Sequence, residues 1–226
     1  VFGIVAKGLL DLLSPPECPG CQLAWEPLET EVPFCPACAP LIELPPSGLR
    51  PPAPLAAAVA YQGPVADAIR RFKYGGASFL APQLSWLIIR AARPYAGHVD
   101  AIVPMPLHPT KLRERGFNPS ALLARPVATA LGLPMRVDWL LRRRATSSQA
   151  GLSSAARQQN VLGAFVARRV GPCRVLLIDD VYTTGATVGA AGLALRARGH
   201  DVMALALAWA PTDQPELAPA EERAPV

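Results

Sequence analysis

The sequence predicts an α/β fold, a mostly parallel sheet with helices on both faces, preceded by a small N-terminal module rich in cysteine and proline. Three observations carry this. From Leu55 onward, short apolar runs alternate with segments of helical periodicity, the order in which a parallel sheet and its crossover helices are laid down. Four of the five cysteines lie between Cys18 and Cys38, in two C-x-x-C pairs. Twelve of the 26 prolines fall between Pro15 and Pro54, far above the usual level of about 5% and incompatible with ordinary helix or sheet there.

A chain of 226 residues that is 51% apolar and only 17% charged has ample material for a core, which excludes a disordered protein. No apolar run approaches the roughly 20 residues of a membrane helix, so a soluble chain without a membrane span is expected. Along Val1 to Leu13, apolar residues at positions 2, 5, 9, 10, 12 and 13 suit a short amphipathic helix. Lys7 and Asp11 interrupt that stretch and no small-residue cleavage site follows, so it does not read as a secretion signal. The expected compartment is therefore the cytoplasm, where thiols stay reduced and clustered cysteines act as metal ligands.

Cys18-Pro-Gly-Cys21 and Cys35-Pro-Ala-Cys38 form two knuckles separated by thirteen residues. Each tight turn presents a pair of thiolates, and four thiolates at about 2.3 Å make the closed tetrahedral site that Zn²⁺ favours. With every position taken by sulfur, such a site is structural, and metal binding supplies the folding free energy of a segment with little core of its own. A redox pair is the weaker alternative, because two knuckles occur and neither adjoins a strand-to-helix switch. Cys173, apart from the others at the head of an apolar run, is expected to be a small buried residue.

The predicted organisation is a helix and four-cysteine module over 1–39, a Pro-rich extended linker over 40–54, an α/β domain over 55–210 and a disordered acidic tail over 211–226. Within the domain, strands are expected at Leu55 to Tyr61, Val99 to Val103, Val137 to Leu141, Arg174 to Ile178 and Val202 to Trp209. Helices are expected at Pro64 to Tyr74, Phe79 to Arg93, Pro119 to Leu131 and Ala186 to Arg198. In such sheets ligands bind beyond the carboxyl ends of the strands.

The formal charge of +5 is segregated. Residues 1–43 hold six acids and one base, net −5; residues 44–210 hold twenty bases and seven acids, net +13; residues 211–226 are net −3. Nineteen of the 22 bases are Arg, whose planar fork suits phosphate, so an anionic ligand competes with a merely solvated basic face. Phosphate esters and nucleic acid both qualify.

The richest stretch runs from Val175 through Asp179-Asp180-Val-Tyr-Thr183-Thr184-Gly185-Ala186-Thr187. A buried strand ends in two adjacent carboxylates, then a loop of small hydroxyl residues and glycine turns into a helix. Adjacent carboxylates accept hydrogen bonds from a vicinal diol such as that of ribose. A helix N-terminus offers backbone N–H groups to a phosphate monoester, and the threonine hydroxyls add to them. Together they describe a ribose 5-phosphate site. No G-x-x-x-x-G-K-[ST] or G-x-G-x-x-G sequence occurs, which argues against a P-loop or a dinucleotide fold. The competing structural account is that Asp180 and Thr183 or Thr184 only cap the helix.

This stretch resembles the phosphoribosyl diphosphate (PRPP) motif of type I phosphoribosyltransferases, and the chain as a whole resembles the ComF (ComFC) family of competence proteins. The resemblance rests on the two knuckles, Tyr61-Gln-Gly63, Phe72-Lys73-Tyr74, Asp100 to Pro106, Arg115-Gly-Phe-Asn118, Arg143 to Gln149, Arg157 to Asn160 and Ile178 to Thr187. Where the family usually continues Arg-Gly-Phe-Asn with Gln, this chain has Pro119, suited to a first helical turn.

The resemblance implies a type I phosphoribosyltransferase-like fold and a site for PRPP with Mg²⁺. Asp179 and Asp180 would serve as catalytic residues on the ribose, and Thr183, Thr184, Gly185, Ala186 and Thr187 would hold the 5-phosphate. The turn around Pro104 and Met105 would be the pyrophosphate loop, with Lys111, Arg113 and Arg115 near the diphosphate, and Arg143 to Asn160 a lid. It further implies a role in handling internalised DNA during natural transformation, beside a competence helicase and a recombination mediator. A non-catalytic factor that binds single-stranded DNA on the same scaffold is the alternative; the net +13 supports it in a general way, while stacking platforms are not evident in the sequence.

Overall fold

The protein is described by a computed structural model in which residues 16–25, 32–144, 163–168 and 171–211 are placed. The expected N-terminal helix, most of the expected lid and nearly all of the tail lie outside the described residues.

Four strands form one parallel sheet: β1 (Leu55–Ala60), β2 (Ala101–Pro104), β5 (Arg174–Tyr182) and β6 (Asp201–Trp209), in the order β1-β6-β5-β2. The central β5 and β6 pair in register from Arg174↔Asp201 to Tyr182↔Trp209. Both are near-continuous apolar runs, as a sheet covered on both faces requires. Alternation along β5 divides the core in two. Leu176 and Ile178 join one cluster with Ile69, Phe72, Leu84, Ile88, Leu123 and Val127. Val175 and Leu177 join the other with Val103, Leu140, Phe165, Val188, Ala191 and Leu195.

The first face is covered by α1 (Gly63–Tyr74), α2 (Ala81–Ala92) and α4 (Pro119–Leu131). The second is covered by α5 (Ala186–Arg196) and a small antiparallel pair, β3 (Leu140–Arg142) with β4 (Phe165–Ala167). The expected α/β class with helices on both faces is thus observed. A short helix, α3 (Pro109–Arg115), follows β2; it buries no residue, so it has no apolar stripe to betray it in the sequence. At the start of β2 and β5, away from the site, Arg174 pairs with Asp100 at 2.6 Å and holds that carboxyl down at about 2.

Three expectations need correction. The strand anticipated at Val137 to Leu141 is Leu140–Arg142, and it pairs with Phe165–Ala167 outside the parallel sheet, because only Leu140 of the three is buried. Cys173 is part-exposed rather than buried, since it stands just ahead of β5 beside Asp100. The helix expected from Phe79 begins as a single 3₁₀ turn at Ser78–Leu80, and the α-helix proper starts where Pro82 can occupy its first turn.

Residues 40–54 contain two 3₁₀ turns, Ala39–Leu41 and Ser47–Leu49, and bond repeatedly to the sheet and its neighbours. Ala60 N–H donates to Glu43 O at 2.8 Å, Ala204 N–H to Pro54 O at 2.8 Å, and the Tyr95 hydroxyl to Ala53 O at 2.7 Å. The cysteine knuckles rest on α1: Cys18, Phe34, Cys35 and Cys38 share a core cluster with Val65 and Ile69, and the Arg71 guanidinium donates to Pro19 O. No described helix is long and apolar enough to cross a membrane.

Candidate functional site

The site lies at the carboxyl ends of the parallel strands, and the last turns of β5 begin it. Asp179 is buried, and its Oδ1 accepts from the Ser120 hydroxyl at 3.1 Å and from Asp180 N–H at 2.9 Å. Ser120 is presented there by the start of α4, which Asn118 caps: Asn118 Oδ1 accepts from Ser120 N–H at 3.1 Å. The same side chain donates through Nδ2 to Met105 O at 3.0 Å, tying the loop after β2 to this helix end. The Arg115-Gly-Phe-Asn118 run is thereby accounted for. Gly116 ends α3 at φ +79°, a left-handed position that costs glycine little; Phe117 packs on Phe72 with centroids 5.5 Å apart; Asn118 opens α4.

Asp180 faces α1. Its Oδ1 lies 2.9 Å from the Lys73 ammonium, and it also accepts from Val181 N–H at 2.6 Å. Lys73 stands in the last turn of α1, so the Phe72-Lys73-Tyr74 run places its ring in the core and its ammonium at the strand end. Burial raises the Asp179 carboxyl to about 7, the neighbouring Asp180 charge adds to the rise, and Lys73 opposes it. Burial works against the charge on Lys73, but Asp180 outweighs it and the ammonium titrates above its ordinary value. From β3, burial lowers the Arg142 guanidinium while the Asp179 carboxylate supports it, so a second cation faces the pair.

Beyond Asp180 the chain turns through Thr183 and Thr184 into Gly185, which precedes α5 at φ +78° with no side-chain cap. A Cβ on Gly185 would lie 2.8 Å from a Tyr182 ring carbon, so glycine is required by space as well as by conformation. Thr184 Oγ1 accepts from Ala186 N–H at a long 3.4 Å. Capping therefore explains Thr184 only in part and Asp180 not at all, since that carboxylate bonds Lys73 and its own neighbour.

Two clefts meet at Lys73. The smaller, about 130 Å³, is lined by Lys73, Asp179, Tyr182, Thr183, Gly185 and Thr187. The larger, about 320 Å³, is lined by Lys73, Tyr74, Lys111, Glu114, Arg115 and Phe117, with the Arg115 guanidinium over the exposed Tyr74 ring at 5.0 Å. Of the ligand-site residues singled out from sequence, Asp179, Thr183, Gly185 and Thr187 line the smaller cleft and Lys111 and Arg115 the larger; Asp180 lines neither but pairs with Lys73, which lines both, and Thr184 and Ala186 lie in the turn and at the first position of α5. Arg113 lines neither. Pro104 and Met105 are buried; the Met105 side chain packs with Val103 and Leu177, and its carbonyl is taken by Asn118. Sequence reasoning missed Lys73, Ser120, Asn118 and Arg142 as site residues. For Lys73 a signal existed: it is one of three lysines among 22 bases, and it adjoins an apolar helical stripe.

The four cysteines of the knuckles converge. Their sulfurs all lie within 4.8 Å of one another, and Cys21 and Cys35 Sγ are 3.6 Å apart. Four sulfurs at about 2.3 Å from a central ion stand about 3.8 Å from each other, so the cluster can hold a tetrahedral metal with little adjustment. Burial pushes the Cys38 thiol up to about 12. At Cys35 burial acts the same way, but backbone and thiol donors outweigh it and bring it down to about 7. Among the described residues this is the cluster of three or more metal-ligating side chains.

Fold and site together define an α/β protein with a paired-carboxylate and hydroxyl-glycine loop at a strand end and a four-thiol cluster docked on its first helix. No family model matches the chain. It is 32% identical over 181 residues to the DNA utilization protein YhgH of Salmonella typhimurium, covering 74% of this chain and 80% of that protein. It is 32% identical over 148 residues to Competence protein F of Haemophilus influenzae, covering 62% of this chain and 65%, just under two thirds, of that protein. Competence protein ComFC of Streptococcus pneumoniae is 29% identical over 129 residues, 57% of this chain and 55% of that one. The chain belongs to the ComF (ComFC) family that these proteins represent. Among solved structures it is similar to the adenine phosphoribosyltransferase of Leishmania tarentolae, at 15% identity, 62% of this chain, 74% of that one and a TM-score of 0.36, a likeness too distant to build on.

Proposed function

We propose that this chain binds PRPP with Mg²⁺, or a related ribose 5-phosphate ligand, at the carboxyl end of β5 and acts as a phosphoribosyltransferase in DNA uptake. The observation that carries the proposal is the continuity of Asp179 with Thr183, Gly185 and Thr187 along one cleft, with Asp180 beside it on the same strand end and paired to the cleft's Lys73. Each carboxylate receives its two internal bonds on Oδ1, which leaves a second oxygen to accept from the 2′- and 3′-hydroxyls of a ribose. The first N–H groups of α5 and the threonine hydroxyls would hold the 5-phosphate.

In the reaction a nitrogen nucleophile forms a bond to C1 of the sugar as the bond from C1 to the diphosphate oxygen breaks, the pair of electrons leaving with pyrophosphate. The protein contributes positioning and charge. Lys73, Lys111 and Arg115 would neutralise the departing diphosphate. Mg²⁺, which takes oxygen ligands, would supply further neutralisation of that charge. The four cysteines would hold structural Zn²⁺, whose thiolates require the reducing conditions of the cytoplasm.

The part in DNA uptake is supported by relatives named for competence and DNA utilization, and by the net +13 of residues 44–210. A second reading, a single-strand binding factor on this scaffold working beside a competence helicase and a recombination mediator, is favoured by one observation. Tyr74 is 66% exposed in the basic cleft, where a base could stack on it. The test is pyrophosphate release from PRPP across nitrogen bases and oligonucleotides, with oligonucleotide binding measured at several salt concentrations. Release that is lost in an Asp179→Ala, Asp180→Ala variant supports transfer. Salt-sensitive DNA binding without release supports the second reading.

A further inference from the structure

Lys73 belongs to both clefts. Its ammonium pairs with Asp180 at 2.9 Å, the two side chains are only 15% and 14% exposed, and it forms the wall between the hydroxyl-glycine loop and the pocket of Lys111 and Arg115. A cation in that position cannot serve two anions fully at once. We infer that Lys73 exchanges partners: in the unliganded protein it neutralises Asp180, and a diphosphate entering the basic cleft draws it away, releasing Asp180 to accept the sugar hydroxyls. This inference rests on the phosphoribosyl reading above.

The chemistry favours the exchange. An ammonium on a flexible four-carbon stem can turn from one cleft to the other without moving α1, which a rigid guanidinium fork could not do as readily. Ligand charge compensates the pair that is broken. A diphosphate brings several negative charges to a pocket where Lys111 and Arg115 already stand and where Glu114 is the opposing acid. Until Lys73 leaves, Asp180 is a weakened acceptor: its Oδ2 is open, but the ammonium and Val181 N–H on Oδ1 draw off the carboxylate's charge. The site would therefore take a sugar phosphate that carries its own diphosphate far better than a sugar monophosphate. Pyrophosphate and ribose 5-phosphate supplied separately would each strengthen the binding of the other, by equal factors.

The experiment is titration calorimetry of the full chain with magnesium pyrophosphate, with ribose 5-phosphate, and with each in the presence of the other. The expected coupling is about tenfold in both directions. In Asp180→Asn, where Lys73 has no carboxylate to leave, pyrophosphate should bind about tenfold more tightly and the coupling should vanish. In Lys73→Met pyrophosphate should weaken and the coupling should again vanish. Removing one member of a buried pair can unfold a protein, so the double variant Lys73→Met, Asp180→Asn, which leaves neither charge, is measured beside them and should show no coupling. Independent binding of the two ligands to the wild type, or unchanged pyrophosphate affinity in Asp180→Asn, overturns the exchange and leaves the phosphoribosyl reading standing. Failure of the wild type to bind either ligand or PRPP overturns both.

Discussion

The Ser120 hydroxyl, at the head of α4, donates to Asp179 Oδ1 at 3.1 Å, joining two residues 59 positions apart at the end of the central strand. The bond fixes which carboxylate oxygen faces inward, and it partly offsets the burial that raises Asp179 to about 7. A carboxyl whose folded-state pKa lies above its ordinary value of 3.8 holds its proton better in the native chain. Its stabilising contribution is full below about pH 4 and is lost as the pH rises to about 7. Asp179→Asn should therefore flatten the decline of stability between pH 4 and 7, measured as the urea midpoint across that range. A decline as steep as that of the wild type would show that Asp179 does not titrate there.

Asn118 carries two bonds, one to the first turn of α4 and one to the loop after β2. Asn118→Ala should cost about 1 to 2 kcal/mol through the lost cap. Asn118→Asp keeps the cap but cannot donate to Met105 O, so it should recover most of that stability while ligand affinity stays impaired. Chemical denaturation and ligand titration of the two variants separate the roles.

Gly185 is held in a left-handed conformation against the Tyr182 ring. Gly185→Ala should lose about 1 to 2 kcal/mol from backbone strain alone, and more from the clash. Ligand binding should fall further than stability does, because the loop that would hold the phosphate must shift. Gly185→Ala, Tyr182→Phe should not rescue it, since the closest approach is to a ring carbon rather than to the hydroxyl.

The knuckle at Gly20 is packed so tightly on α1 that a Cβ there would stand 2.5 Å from Pro64 Cβ. Protein purified without added metal should contain close to one zinc per chain, and chelation should lower the melting temperature by exposing Val65 and Ile69. Gly20→Ala should lower it with zinc still bound. A zinc content far below one per chain would rule the four-thiol site out.

How far the sequence could be read depended on how local each feature is. The thiol cluster follows from spacing within 21 residues, and the loop from Asp179 to Thr187 from a single strand and turn. Both could be found by inspection. The β3–β4 pair could not, because three-residue strands with one or two buried positions have no period to detect. Nor could the pairing of Lys73 with Asp180, which depends on the end of α1 meeting the carboxyl end of β5, a relationship that only the packed fold creates. Met105 shows the converse. The family resemblance assigns it to the pyrophosphate loop, and only the packed fold shows that its side chain fills the core and its carbonyl secures Asn118.

The measurement that bears most directly on the central claim is titration of the full chain with magnesium PRPP. Saturable binding well below millimolar, abolished in the Asp179→Ala, Asp180→Ala variant while its fold is retained, is the result the site predicts. An unaltered wild-type chain that fails to bind at millimolar PRPP would contradict it.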